Sequence, residues 1–366
     1  MIFPDPPLAL LAELTHRCPL QCPYCANPLE MDRVSAELDT ATWVRVLDEA
    51  AALGVLQVHF SGGEPTARRD LLQLVQHAAA VGLYSNLITS GVLLDAGSLA
   101  ALASAGLDHV QLSFQDAESG EADRLGGLRQ GHARKLVVAE LILGAGLPLT
   151  ANFVVHRQNL DRLPAMLALG EAIGATRIEI AHVQYYGWGL MNRDALMPSL
   201  RQLEAANVHV AAAQERLRGR IAIDYVVPDY HAARPKACMG GWARRIINIT
   251  PAGLALPCHA AETLTGMHFP SVRTTSLAEI WNADPAFARF RGTAWMPDPC
   301  RSCDQREVDW GGCRCQALAL TGDAAATDPA CALSPHHGVM AAAVAAAEAA
   351  PPPALVYRRI RAPATP

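Results

Sequence analysis

The amino-acid sequence predicts an α/β protein, a partial (β/α)6 barrel followed by a C-terminal cysteine-rich domain. Three observations carry this expectation. Over about the first two hundred residues, short apolar runs alternate with amphipathic ones, the pattern of a parallel sheet wrapped by helices. Glycine stands at the end of most of the helical runs, where a left-handed residue is wanted. The cysteines fall into two groups, Cys18, Cys22 and Cys25 at one end and those from Cys238 to Cys331 at the other, with none between.

The expected strands are Leu8–Leu14, Leu56–Ser61, Tyr84–Ser90, Val110–Phe114, Leu149–Val155 and Arg177–His182. Helices are expected at Thr40–Leu53, Asp70–Val81, Asp95–Ala105, Ala133–Ala145, Leu160–Ile173 and Ser199–Arg216, with Gly54, Gly82, Gly106, Gly146 and Gly174 as stops. Six such units are too few to close an eight-stranded barrel, so an open one follows, with chemistry at the C-terminal strand ends. After about Asp229 the pattern changes to short strands, turns and cysteines, and the run Ile246–His259 reads as a hairpin around Pro251-Ala252-Gly253. The expected division is 1–228, 229–340 and an Ala/Pro-rich tail at 341–366.

Composition narrows the function classes. The chain has 366 residues, 51% of them hydrophobic, and a formal net charge of −5. Its only lysines are Lys135 and Lys236, so no polybasic face for nucleic acid or anionic lipid can form. The first residues lack a basic leader and a spanning apolar run, so a cytoplasmic protein is expected. In that reducing compartment, metal binding is a better use of the ten cysteines than disulfides.

Cys18-x3-Cys22-x2-Cys25 follows the first strand. Three thiolates at this spacing can hold three irons of a cubane and leave the fourth open. The competing reading is zinc, which in a structural role takes four closed ligands, and the neighbouring His16 does not complete a standard finger. Ser61-Gly62-Gly63-Glu64-Pro65 ends the second strand: paired glycines permit close backbone approach, and a carboxylate can hold an ammonium group. Together the two motifs resemble the radical S-adenosylmethionine (SAM) superfamily. That resemblance implies a 4Fe–4S cluster on the three cysteines, with SAM's amino and carboxylate groups on the open iron. It implies that Tyr24 approaches the adenine and that Gly62, Gly63, Glu64 and Pro65 bind the methionine amino group. Ser113 and Asn152, at the fourth and fifth strand ends, would touch the ribose and the methionine carboxylate; the alternative is that they only cap strands.

The later cysteines, Cys238, Gly253-x4-Cys258, Cys300-x2-Cys303, Cys313-x-Cys315 and Cys331, resemble the SPASM module of peptide-modifying radical SAM enzymes. Asp309 stands where that pattern has a cysteine. The resemblance implies Cys238, Cys258 and Cys313 on a first auxiliary cluster, with Cys315 as fourth ligand. Cys300, Cys303, Asp309 and Cys331 would hold a second. The other reading of Asp309 is a solvated loop acid, and Cys313-x-Cys315 also suits a two-iron cluster.

The residues around Cys18–Cys25, Asp309 with Cys315, and the ending Ala354–Ala362 resemble the PqqE family of pyrroloquinoline quinone biosynthesis. The resemblance implies a carbon–carbon bond between glutamate and tyrosine side chains of the precursor peptide PqqA, which the small protein PqqD presents. A 5′-deoxyadenosyl radical would take hydrogen from the glutamate γ-carbon, which then attacks the tyrosine ring; a low-potential donor such as flavodoxin would supply the first electron. No general base is assigned: His156, His182 and Tyr185 are the titratable groups near strand ends. Another SPASM enzyme, oxidising a sulfatase residue or forming a thioether, would share the cluster motifs, and a noncatalytic iron–sulfur or zinc module is a third reading.

Overall fold

A computed structural model describes residues 4–358. The start of the chain and 359–366, including the end of the expected tail, lie outside the described residues. All six expected strands form: β1 Ala9–Thr15, β2 Gln57–Gly62, β3 Tyr84–Thr89, β4 His109–Phe114, β5 Leu149–Val155 and β6 Arg177–His182. The helices α1 Thr40–Leu53, α2 Leu71–Ala80, α3 Ala96–Ser104, α5 Gly131–Gly144, α6 Leu163–Ala172 and α9 Leu200–Arg216 answer the six expected ones. The five glycine stops all have positive φ, from +70° at Gly174 to +94° at Gly54 and Gly106. Short helices α4 Ser119–Gly126, α7 Gly187–Met191 and α8 Arg193–Leu196 were not expected, nor was a seventh strand, β7 Ala222–Val226. In β7 the alternation is weak, because it is an edge strand with little buried.

The strands run side by side in chain order, β7-β6-β5-β4-β3-β2-β1, all parallel. Each crossover carries helix, as parallel pairing requires. The sheet does not close on itself, in keeping with a partial barrel. On the other side of β1 it is extended by the expected hairpin, β8 Ile246–Ile249 and β9 Ala255–Leu256, with β8 parallel to β1 and antiparallel to β9.

On β1, Leu10, Ala12 and Leu14 are fully buried. Against the sheet lies α1, whose Trp43, Val46, Leu47 and Ala50 are buried at helical spacing. The Asp39 carboxylate caps this helix by accepting from the Thr42 N–H at 2.8 Å. Trp242, Trp281 and Phe287 of the C-terminal region belong to the same apolar core. Polar bonds bind the two regions as well: Glu49 of α1 accepts from the Leu277 N–H at 2.8 Å, and Trp281 donates to the Asp5 carbonyl at 2.8 Å.

Candidate functional site

The loop after β1 is set by backbone bonds before any metal is considered. Gln21 N–H donates to the Gly126 carbonyl at 2.8 Å, and Cys25 N–H to the Cys22 carbonyl at 3.1 Å. The buried His16 ring accepts from the Asp32 N–H at 2.9 Å through Nδ1. That nitrogen is thus not free for zinc. Burial pushes the Cys18 thiol up to about 12 and the Cys22 thiol up to about 11, and it raises Cys25 too. Cys18 feels Cys22 and Cys25 as neighbours, so the three sulfurs share one small region. Three half-buried thiols on one short loop are a donor set that fits an iron–sulfur cluster, with their protons displaced on binding.

Gly62 and Gly63 end β2 against this loop. A Cβ at Gly62, where φ is +114°, would lie 2.5 Å from the Thr15 carbonyl oxygen, and one at Gly63 would lie 2.4 Å from the Arg17 oxygen. The glycine pair therefore serves first to admit the backbone of the cysteine loop itself. Glu64 N–H completes the junction by donating to the Arg17 carbonyl at 2.7 Å.

Glu64 is fully buried and already ordered. Its Oε1 accepts from the Thr66 N–H at 3.2 Å and from the hydroxyls of Thr66 at 2.7 Å and Thr89 at 2.6 Å; Oε2 accepts from the Ser90 N–H at 2.8 Å and the Ser90 hydroxyl. Pro65 starts the short turn that brings Thr66 into reach. Thr89 and Ser90, at the end of β3, were missed as functional residues. Their signal was a polar pair directly after an apolar strand.

Ser113 and Asn152 are direct register partners on β4 and β5. Asn152 Nδ2 donates to Glu179 at 2.8 Å, which leaves its carbonyl oxygen for other use. The Ser113 carbonyl accepts from Lys135 Nζ at 2.7 Å, and Lys135 also donates to Gln115 at 2.5 Å. Lys135 is only 1% exposed. Burial lowers its pKa to about 8, against the opposing pull of Cys22, Glu64 and Cys18. It is a cation beneath the cysteine loop that sequence reasoning counted only as charge. The signal was present: Lys135 stands in register with Val138, Ala139 and Ile142, the buried stripe of α5.

Tyr24 is half-buried, its hydroxyl shielded from water and its ring centroid 5.3 Å from that of His156. Burial lowers His156 and His182 to about 3, so both are neutral imidazoles and poor bases. His182 pairs with the Tyr225 hydroxyl at 3.2 Å. Tyr185 packs edge-on against Tyr230 in a separate small apolar cluster.

In the C-terminal region the chain brings four thiols into mutual contact. Cys238 touches Cys258 and Cys313, and Cys315 touches the same two. They come from the turn at Cys238–Gly240, the segment after β9, and the start of α13 Arg314–Thr321. Four converging cysteines are a donor set of the kind an iron–sulfur cluster uses; among the described residues no group of three or more His, Cys, Asp or Glu side chains is arranged to hold a single metal ion. Cys300, Cys303, Asp309 and Cys331 line one narrow cavity together with Thr327 and Asp328. Asp309 ends α12 Arg306–Asp309, and its Oδ1 accepts from the Gly311 N–H at 2.9 Å.

A three-thiol loop beside an ordered glutamate, at the strand ends of an open parallel sheet, defines a radical SAM enzyme with a C-terminal iron–sulfur module. The profile of the Radical SAM superfamily matches residues 12–170, and that of an iron–sulfur cluster-binding domain, SPASM, matches residues 238–304. These domains imply SAM and iron–sulfur clusters as cofactors. The PqqA peptide cyclase of Granulibacter bethesdensis is 65% identical over 92% of this chain and 90% of its own length. That of Gluconobacter oxydans is 63% identical over 92% and 94%. The chain belongs to the PqqA peptide cyclase family. Among solved structures, Streptococcus suis SuiB bound to precursor peptide SuiA superposes with a TM-score of 0.74 at 19% identity, covering 90% of this chain and 76% of SuiB. Native anSMEcpe with bound AdoMet gives 0.65 at 15%, covering 94% and 100%. Both likenesses are of fold. Among the described residues no helix is long and apolar enough to cross a membrane.

Proposed function

We propose that this enzyme joins a glutamate and a tyrosine side chain of a PqqA precursor peptide by a carbon–carbon bond, in the biosynthesis of pyrroloquinoline quinone. The observation that carries the reading is the three-thiol loop locked against Glu64 in a chain 65% identical to a PqqA peptide cyclase. In this reading Cys18, Cys22 and Cys25 hold a 4Fe–4S cluster. Gly62, Gly63, Glu64 and Pro65 form the cradle for the methionine end of SAM, Tyr24 meets the adenine, and Ser113 and Asn152 contact the ribose and the carboxylate. Bound there, cluster and SAM supply a 5′-deoxyadenosyl radical able to take hydrogen from an unactivated carbon.

The remaining work falls to the chain. Glu64, fixed by five donors, offers a preorganised anionic partner for an ammonium group. Cys238, Cys258, Cys313 and Cys315 would hold one auxiliary cluster, and Cys300, Cys303, Asp309 and Cys331 a second, each 4Fe–4S or 2Fe–2S. A cavity lined by Glu13, Leu29, Tyr186, His259 and Glu262 separates the first loop from the four-thiol site and is the proposed seat of the peptide. Its position supports a reaction in which the coupled ring is oxidised near the auxiliary site. A PqqD partner would present the peptide in extended form and so lower the entropy lost on binding. A low-potential protein such as flavodoxin would be the donor, and the setting would be cytoplasmic. The proposed boundaries remain 1–228, 229–340 and 341–366.

The anaerobically reconstituted enzyme, with SAM, reductant, PqqA-type peptide and PqqD, should give a peptide lighter by two hydrogen atoms, with fragmentation blocked between the joined residues. Deuterium placed at the glutamate γ-carbon should appear in 5′-deoxyadenosine. Crosslinked product with all label retained would overturn the proposed abstraction site.

A further inference from the structure

Residues 351–358 of the C-terminal tail are not a free linker. Helix α14 His337–Ala349 is held to the barrel by Arg157, which donates to the carbonyls of Ala347 at 2.6 Å and Ala350 at 3.2 Å. From there the chain turns back to the three-cysteine loop. Asn192, 3% exposed at the end of α7, ties the two together: its Nδ2 donates to the Pro23 carbonyl of the loop and to the Val356 carbonyl of the tail, each at 2.9 Å. Its Oδ1 accepts from the Val356 N–H at 2.7 Å. Two residues on, Arg358 reaches into the loop. Its Nη2 donates to the Cys18 carbonyl at 3.0 Å and to the Leu20 carbonyl, and its Nη1 lies 3.0 Å from the Met31 sulfur.

We infer that residues 351–358 form a strap, with Arg358 and Asn192 as positioning residues that hold the Cys18–Cys25 loop in register for its cluster. Carbonyls in an irregular loop have no ladder partner and need donors from elsewhere. Here a single guanidinium nitrogen, Nη2, donates to two of them, one on Cys18 itself, while Nη1 rests on the Met31 sulfur and Asn192 holds a third carbonyl at Pro23. A strap entering from the far end of the chain also makes the loop's geometry depend on the C-terminal region being folded. Small errors of position at a reacting centre are costly, so a loosened loop loses rate before it loses affinity.

The inference takes the cluster assignment as its chemical setting, but its first test does not need a cluster. Hydrogen exchange is measured on the iron-free full chain as wild type, Arg358→Ala, Arg358→Lys and Asn192→Ala. Amides of 17–26 should exchange about tenfold faster in the alanine variants, with β2 and β5 unchanged, and lysine should recover only part of the protection, because its single ammonium cannot reach the loop carbonyls and the Met31 sulfur together. In the reconstituted enzyme, Arg358→Ala should lower kcat roughly tenfold with the peptide KM within about twofold, and should alter the EPR change that SAM produces. Unchanged exchange across 17–26 overturns the strap. So does a rise spread equally over β2 and β5, because the tail then contributes only general stability. Failure of the wild-type loop to bind iron would overturn the cluster assignment and leave the exchange comparison standing.

Discussion

The two cysteine regions solve one problem in opposite ways. At the N-terminal site all three sulfurs come from a single short loop, and the surrounding residues supply everything else: glycines that let β2 approach, a fully bonded Glu64, and the buried Lys135 beneath. At the four-thiol site the sulfurs come from three distant segments and meet each other, with the Gln316 N–H on Cys313 beside them. In the proposed assignment the first site is one ligand short and rich in fixed polar groups, and the second has four thiols of its own. An open site has to bind and orient a small molecule, whereas a closed one has only to hold its metal and pass electrons.

Removing the thiols of the first loop gives the largest expected effect. Cys18, Cys22 and Cys25 replaced together by alanine should reduce 5′-deoxyadenosine formation to the no-enzyme background, with iron still bound in the C-terminal region. Iron analysis and chromatography of the nucleoside check both halves. Turnover by the triple variant would erase the distinction between the sites.

A smaller loss is expected from Gly63→Ala, which keeps every ligand. The added methyl meets backbone at 2.4 Å and 2.7 Å, and backbone cannot swing aside as a side chain can. Overpacking of this kind costs about 1–3 kcal/mol; falling on the geometry of the SAM-cleaving loop, it would lower the rate of SAM cleavage by about fivefold to 150-fold. Gly144→Ala, in α5 with nothing within 4 Å of the new Cβ, is the control and should leave the rate intact. Equal behaviour of the two variants would show that the close approach at Gly63 is unimportant.

Asp309 tests the second half of the comparison, since it is the one carboxylate among the C-terminal candidates. Asp309→Cys should keep the iron and move one cluster's reduction potential, while Asp309→Ala should change the EPR signal of that cluster alone. Identical spectra for wild type and Asp309→Ala would return the residue to the status of a turn acid.

What could be read from the sequence follows the same division. The strands, helices and glycine stops were legible because apolar periodicity and left-handed caps are local signals. The three-cysteine loop and Ser61–Pro65 were legible because each is one contiguous run. Lys135, Thr89 and Ser90 were not, because their roles arise only when β3, β4 and α5 come together around the loop. The strap was invisible for the same reason: Arg358 reads as one arginine in an Ala/Pro-rich tail until Asn192, some 160 residues earlier, is found bonded to Val356 two residues before it. Strand β7 was lost to weak alternation at a sheet edge.

The smallest effect is expected at Glu13, where the two regions face each other across a shared cavity. Glu13 belongs to β1 and Glu262 to the C-terminal region, and both line that cavity. Burial, reinforced first by Glu262 and then by Asp32, raises Glu13 from the ordinary 4.5 to about 8, while Asn248 works against the shift. His16 Nε2 lies 4.0 Å away. A carboxyl raised in the folded state binds a proton that the unfolded chain has already released. Between about pH 4.5 and 8 the native state therefore holds more protons, and stability falls as pH rises through this window. The expected loss is on the order of 1 kcal/mol, well below what the full shift implies, because the side chain keeps some contact with water. Glu13→Gln imitates the protonated carboxyl and cannot ionise. Its iron-free chain should match wild type in urea midpoint at pH 5 and exceed it at pH 8.5. Glu262→Gln should recover part of the same gain by removing the facing charge. Parallel pH profiles for wild type and Glu13→Gln would mean that the acids of the two regions do not oppose each other, and that the cavity between them is wetter and less confining than its lining indicates.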